Sequence, residues 1–408
     1  MILNKFNILF ILVIIIFYLL FFFNKKYKIL KNNNIHYKNT NTSFIKYKKC
    51  DYKPIQEYYK IVFEKYNMKR INNHMDDWDL YIPCGYNYIE QELLNIKISN
   101  QHQFIFGIKG CDKICSKNQL WKILENYYGR KKTSTLLPET YIINNPQHID
   151  KFKLNFNKNN TYYLKKNIQR KEGILVTNDY NKILHTVYKT NNTLKQYHSE
   201  NVIQEERKFT KNQKLNTLIN SFKIIQKGID NLYLIHKRKV NLRLYIVIVC
   251  KNKIKTCYLY KKGKCIYANK IINENKLDKE VHLTSYNLDK QIYSNHPETL
   301  EQLKGYMKEK NYNILYKNIL ELFKEVFEGF ENEICNNKKL NNLTTFQLFG
   351  CDIIFNKNLH PYLLEFNKGP SMKFVTKVDK EMKLKLIEDV FKIVDLIKEK
   401  TNAFIQIK

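Results

Sequence analysis

At 408 residues, with 44% hydrophobic and 26% charged residues, the chain can bury one large core or two to three modest ones, and wholesale disorder is excluded. The formal net charge of +32 suits nucleic acid, an anionic membrane surface or an acidic protein as partner. Lysine and asparagine are crowded while Gly (11), Pro (7) and Trp (2) are scarce, a bias that AT-rich coding produces unaided, so charge by itself selects none of the three.

After a short lead, residues 1–5, residues 6–23 form an apolar run broken only by Asn7. Eighteen residues at 1.5 Å per residue give about 27 Å of helix, close to the hydrocarbon thickness of a bilayer. A cleaved signal peptide is the rival, but no small-x-small site follows, because the run ends Phe-Phe-Phe-Asn-Lys-Lys. Lys25, Lys26, Lys28 and Lys31 outnumber Lys5 across the run, so the positive-inside rule predicts a single-pass anchor with the body of the protein in the cytosol. Residues 24–50, polar and aperiodic, read as a tether.

Residues 51–155 alternate short helices and strands, as an α/β region does. A helix is expected around Ile55–Tyr66 and another over Ile89–Ile98, with WDLYIPCGYN (78–87) between them. The strand FIFGI (104–108) precedes SKNQLWKIL (116–124), where a serine cap opens an amphipathic helix, and LLPETYIIN (136–144) returns as a strand. Residues 156–275 are richest in strands. TYYLKK (161–166) leads through a basic turn into a second strand ending at Val176, and NVIQEE (201–206) reads as a short strand. KVNLRLYIVIVC (239–250) is strongly β-prone, and KTCYLYKKGKCIYA (255–268) reads as its hairpin partner turning at Lys262-Gly263. Residues 276–408 open with HLTSYNLDK (282–290) and a helix-prone stretch, 300–335. A hairpin over 346–367, turning at 356–358, and a last amphipathic helix over 380–401 complete them. The nine cysteines, odd in number and mostly in apolar segments, are expected to be reduced thiols, and Cys111-x-x-x-Cys115 lacks a second pair for zinc.

The residues that carry chemistry lie on these strands. Residues i and i+2 of a strand share a face, so Glu365 and Asn367 project together, and a hairpin partner can bring Asp352 beside them. Two carboxylates and an amide oxygen suit Mg²⁺ on a nucleotide triphosphate, although the spacing alone favours a solvated hairpin with ordinary surface acids. Lys165 or Lys166, at a strand end, can reach a phosphate as a point charge, and the Arg170-Lys171-Glu172-Gly173 turn can cover phosphates with amides and cations. Arg243 interrupts an apolar run, where an unpaired charge is costly, and can neutralise a phosphoryl group in transfer.

In order and spacing, LIHKRKVNLRLYIVIV, CYLYKKGKCIYA, HLTSYN, FQLFGCDIIF and PYLLEFNKGPSM resemble the tubulin–tyrosine ligase-like family, over about 78–371. The resemblance implies an α+β ATP-grasp fold, antiparallel-sheet subdomains clasping ATP, here with an N-terminal α/β region and a transmembrane helix. It implies a ligase using ATP and Mg²⁺ to join a free amino acid to a carboxylate of an acidic protein tail, typically tubulin. Glutamate is the first expectation, with tyrosine and glycine as alternatives, through an acylphosphate. By position, Lys165 (or Lys166) matches the nucleotide lysine and Gly173 the last glycine of the phosphate loop, with Arg170 in the same loop. Gln204 and Glu205 match the adenine hinge, Lys239 and Arg243 the basic pair, and Asp352, Glu365 and Asn367 the Mg²⁺ ligands. Asn241 replaces an acidic residue, Lys261 an arginine and Ser285 an asparagine. These departures leave open an inactive ATP-grasp module that binds acidic tails at a membrane. No RNP, KH, helix-turn-helix or zinc-finger pattern supports nucleic acid as the partner.

Overall fold

The computed structural model describes residues 45–49, 57–71, 77–167, 173–203, 221–272, 277–284 and 289–408, without the side chains of 193–203 and 290. The apolar run 6–23, Arg170, Gln204, Glu205 and Ser285 lie outside the described residues. Among the described residues no helix is long and apolar enough to cross a membrane.

Two sheets organise the mixed α+β unit 45–408. The larger is built on two long antiparallel strands, Arg238–Lys251 and Thr344–Phe355, both buried along almost their whole length. Such runs need cover on both faces. One face is closed by residues including Leu242, Ile246, Phe349 and Phe327. The other is closed by Tyr245, Val247, Phe346 and the terminal helix Lys377–Ile393, through Leu386 and Phe391. That helix starts three residues before its expected position because Thr376 caps it, accepting from Asp379 N. Phe104–Phe106 pairs in parallel with Thr344–Phe355 and extends the sheet through Leu80–Tyr81 to Lys46–Lys48. Thus residues 46–48, polar by composition and assigned to the tether, are a strand.

The smaller sheet runs Thr140–Ile142, Phe222–Lys227, Tyr162–Lys166, Ile174–Thr177, all antiparallel neighbours, over Tyr141, Phe152 and Leu164. The strand expected at 201–206 is corrected over 201–203, the part that is described: 180–203 is one helix, in which apolar residues three to four apart such as Ile183 and Val187 supply a buried stripe. The sheet's missing member is Phe222–Lys227, where no strand had been expected.

The hairpin expected within 255–268 is also corrected. Ile254–Tyr260 and Lys264–Tyr267 do not pair with each other; each pairs with Arg238–Lys251, end to end along it. Gly263 sits at the jog, where a Cβ would come within 2.9 Å of the Arg243 carbonyl oxygen. The expected reduced state of all nine cysteines is corrected as well. Cys250, ending the long strand, is bonded to Cys335 across 85 residues, and Cys84 is likewise disulfide-bonded. Cys111 and Cys115, with Cys257, Cys265 and Cys351, are free thiols.

Candidate active site

The hairpin Thr344–Phe355 and Pro361–Asn367 places Asp352 opposite Glu365 and Gly350 opposite Asn367, with a register shift just after Asp352. On the other side of the same strand, Arg243 stands opposite Asp352. The guanidinium grips both carboxylate oxygens, Nε to Oδ1 at 2.6 Å and the second nitrogen to Oδ2 at 3.0 Å, a bidentate pair. The arginine inside an apolar strand is thereby satisfied. A Cβ at Gly350 would lie 2.9 Å from Pro370 Cβ, so the glycine lets the loop after Asn367 pack against this strand.

Glu365 has a partner that sequence reasoning did not single out. Lys117 Nζ lies 2.9 Å from Glu365 Oε2, and the lysine side chain is only 7% exposed. Lys117 is the first residue of the helix Lys117–Tyr128, and that helix start is tied to the small sheet by Asn167. The Asn167 amide donates to Ser116 Oγ and Asn118 Oδ1, both at 2.9 Å, while its oxygen accepts from Lys117 N at 3.2 Å. The available signal was SKNQLW itself, a lysine at the first helical position after a serine cap. Burial works against the Glu365 charge, but Lys117, then Lys165 and Arg243, overcome it and hold the carboxyl down at about 2. Burial, by contrast, raises Asp352 above the ordinary carboxylate value against the pull of Arg243. Asn367 is buried, and its amide reaches Glu365 Oε1 at 3.4 Å.

The facing wall comes from the small sheet. Lys165 Nζ donates to Gln226 Oε1 at 2.6 Å, and Gln226 is itself held by Thr140 Oγ1 at 3.0 Å. The strand register shifts between Lys165 and Lys166. Lys165 therefore faces the cleft, whereas Lys166 lies over the Phe222 ring. Lys239 Nζ donates to the His282 carbonyl at 2.8 Å and lies 4.9 Å from the Tyr163 ring centroid. Burial depresses both ammonium groups, Lys165 to about 8 and Lys239 to about 7, and Lys165 adds to the depression of Lys239.

Lys117, Lys165, Lys239, Asn241, Asp352 and Glu365 line one open cleft of about 1000 Å³, its mouth included. Gln226–Ile229 also line it, so the strand Phe222–Lys227 delivers a wall of the cleft; Gln204 and Glu205 lie outside the described residues. Gly173 is buried at the start of Ile174–Thr177. Asn241 donates to Thr284 Oγ1 at 2.9 Å, but its Oδ1 is a buried acceptor with no hydrogen-bond partner among the described residues.

Lys261 is corrected. Its side chain is exposed and does not line the cleft, and its backbone N–H bonds the Ala403 carbonyl at 2.8 Å. The cation opposite Arg243 is Lys264, buried between Asp379 (3.1 Å) and Glu298 (3.4 Å). The jog at Gly263 is why: it offsets the second segment so that Lys264, not Lys261, meets the active strand.

The donors fit a metal–triphosphate. Two ionised carboxylates and an amide on neighbouring strands offer hard oxygens, and each carboxylate oxygen engaged by Arg243 or Lys117 keeps a further lone pair. Two buried ammonium groups with depressed proton affinity form a cationic wall whose charge an anion would stabilise.

The class that this architecture defines is a mixed α+β protein with two sheets, consistent with an ATP-grasp-like fold. The model of the tubulin-tyrosine ligase family matches residues 96–403, and the chain belongs to that family. It is 28% identical over 183 residues to a probable tubulin polyglutamylase of Rattus norvegicus, covering 42% of this chain and 38% of that protein. A probable alpha-tubulin polyglutamylase of Tetrahymena thermophila is 27% identical over 180 residues (42% and 43%). A tubulin glycylase of the same organism is 26% identical over 181 residues (42% and 17%). The chain thus spans less than half the length of these relatives.

Proposed function

We propose that this protein is an ATP- and Mg²⁺-dependent ligase that joins a free amino acid, glutamate first, to a carboxylate of an acidic protein tail, tubulin being the leading acceptor. The observation that carries the reading is the convergence of Arg243–Asp352 and Lys117–Glu365 across one cleft from Lys165 and Lys239. Mg²⁺, when bound, neutralises and orients the triphosphate. Asp352, Glu365 and Asn367 would hold it; Lys165 and Lys239 would bind phosphate oxygens; Arg243 would neutralise charge developing on the transferred group.

In balanced form, an acceptor carboxylate oxygen attacks the γ-phosphorus and ADP leaves. The amine of the amino acid then attacks the acyl carbon, phosphate leaves, and an amide forms with release of a proton. No enzyme nucleophile is required, which agrees with the half-buried Cys115 and the buried Cys351, whose thiols desolvation pushes up. The names of the relatives favour glutamate, with glycine and tyrosine as alternatives.

The test is intact-mass measurement after the full chain is incubated with Mg·ATP, tubulin and each amino acid separately. A mass increment identifies the amino acid; no increment with any of the three sinks the reading. An inactive module that binds acidic tails is the competing reading, favoured by Asn241, whose Oδ1 has no hydrogen-bond partner among the described residues. ATP turnover that disappears in Glu365→Gln eliminates it. We further propose that residues 6–23 anchor the protein with its body toward the cytosol, which protease protection in isolated membranes tests.

A further inference from the structure

The strand Arg238–Lys251 carries the Arg243 ion pair near one end and a separate feature at the other. Its turn into Ile254–Tyr260 forms one wall of a basin, the segment 335–341 forms the facing wall, and the Cys250–Cys335 disulfide ties the two together. Five lysines line the basin, Lys109, Lys251, Lys253, Lys255 and Lys338, with no acidic residue and no arginine among the lining side chains. Lys109, Lys251, Lys253 and Lys338 are exposed, and none forms an ion pair with a described residue. Lys255 is pointed by a hydrogen bond to the Glu331 carbonyl at 2.6 Å. Clustering like charges without counter-charges is unfavourable, so the arrangement has a standing cost.

The backbone supplies a second observation. The two turn residues are Asn252 at φ 51° and Lys253 at φ 66°, both left-handed, as a two-residue hairpin of the mirror-image type requires. Asparagine tolerates that conformation, but the second position favours glycine. The chain keeps a lysine there, a strained residue whose side chain lies on the basin rim. Cys335, across the disulfide, is also left-handed at φ 60°.

We propose that this basin is a binding site for a carboxylate-rich peptide segment, separate from the catalytic cleft. Ammonium groups on flexible stems are point charges suited to singly charged carboxylates spread along a peptide. A compact phosphate is better matched by the planar fork of arginine, which the basin lacks. Cys250 is seven residues from Arg243 on one strand, about 23 Å along it, so the basin lies well apart from the cleft. In that role, holding the acceptor's tail, the proposal rests on the ligase reading; as a binding site it is tested without turnover.

The experiment measures fluorescence anisotropy of a labelled oligoglutamate peptide titrated with the full chain at low salt. The combined Lys251→Glu, Lys253→Glu, Lys338→Glu variant is compared with a charge-matched control, Lys158→Glu, Lys182→Glu, Lys310→Glu, also at exposed lysines. The basin variant is expected to bind about ten-fold more weakly and the control less than about three-fold, with Mg·ATP affinity unchanged in both. Equal losses in the two variants, or none in either, overturn the proposal. So does a basin-specific loss of affinity for a single-stranded oligonucleotide or anionic vesicles with peptide binding intact. Lys253→Gly separates binding from folding: it is expected to raise the thermal midpoint while weakening the peptide, and a variant that gains stability without losing affinity counts against the site. Peptide binding that persists without any mass increment on tubulin leaves the basin standing and removes the ligase reading alone.

Discussion

Arg243 shows how one side chain can be structural and chemical together. Truncating it to methionine leaves the Asp352 carboxylate in a largely buried position without its counter-charge. The expected cost is about 3 kcal/mol, read as a shift in urea midpoint, beside loss of ATP turnover. Lys117→Met removes the main partner of Glu365 and is expected to lower turnover in the same assay. The folded Glu365 carboxyl sits at about 2, below its ordinary 4.5. The stability it contributes is therefore complete above about pH 4.5 and is lost as pH falls toward 2, and the Lys117→Met protein should show a weaker acid dependence over that window. Lys165 and Lys239 have the opposite chemistry, with folded values of about 8 and 7 that lie below the ordinary 10.5. At pH 8 both are partly neutral, and a bound triphosphate favours their charged forms. Nucleotide binding is therefore expected to take up protons and to weaken as pH rises from 7 to 9. Calorimetry in buffers of different ionisation enthalpy measures that uptake, and proton release would contradict the assignment.

At the scale of the element, the jog at Gly263 decides which lysine matters. Two short segments lying end to end along Arg238–Lys251 put Lys264 into a buried network with Glu298, Asp379 and, through Asp379, Lys383. Lys264→Met is expected to destabilise by about 3 kcal/mol, because Asp379 is fully buried and would lose one of its two ammonium partners. Lys261→Ala, at an exposed position, should change stability by less than about 0.5 kcal/mol and leave turnover within about two-fold. Chemical unfolding and ATP turnover on the two variants check both statements, and the reverse ranking would restore Lys261 to the site.

For the molecule as a whole, the Cys250–Cys335 bond closes an 85-residue separation that includes the segments Ile254–Tyr260 and Lys264–Tyr267 and the helix Glu309–Phe330. Reduction is expected to lower stability, with about 2–4 kcal/mol of the loss due to this bond, and to have a smaller effect in Cys335→Ser, where the disulfide of Cys84 remains to be reduced, as judged by urea midpoints with and without reductant. The sequence by itself determined the family and the order of the chemical residues, because motifs such as PYLLEFNKGPSM and KVNLRLYIVIV are local and their periodicity survives without the fold. It also determined the i, i+2 partnership of Glu365 and Asn367, which any strand enforces. Only the tertiary structure decided that Lys117 neutralises Glu365, that Lys165 rather than Lys166 enters the cleft, and that Phe222–Lys227 supplies a wall of it. The physical reason is the same in each case. Which side chain reaches a site depends on register shifts, jogs and packing between segments tens to hundreds of residues apart, and those long-range pairings leave no periodic trace in the local sequence.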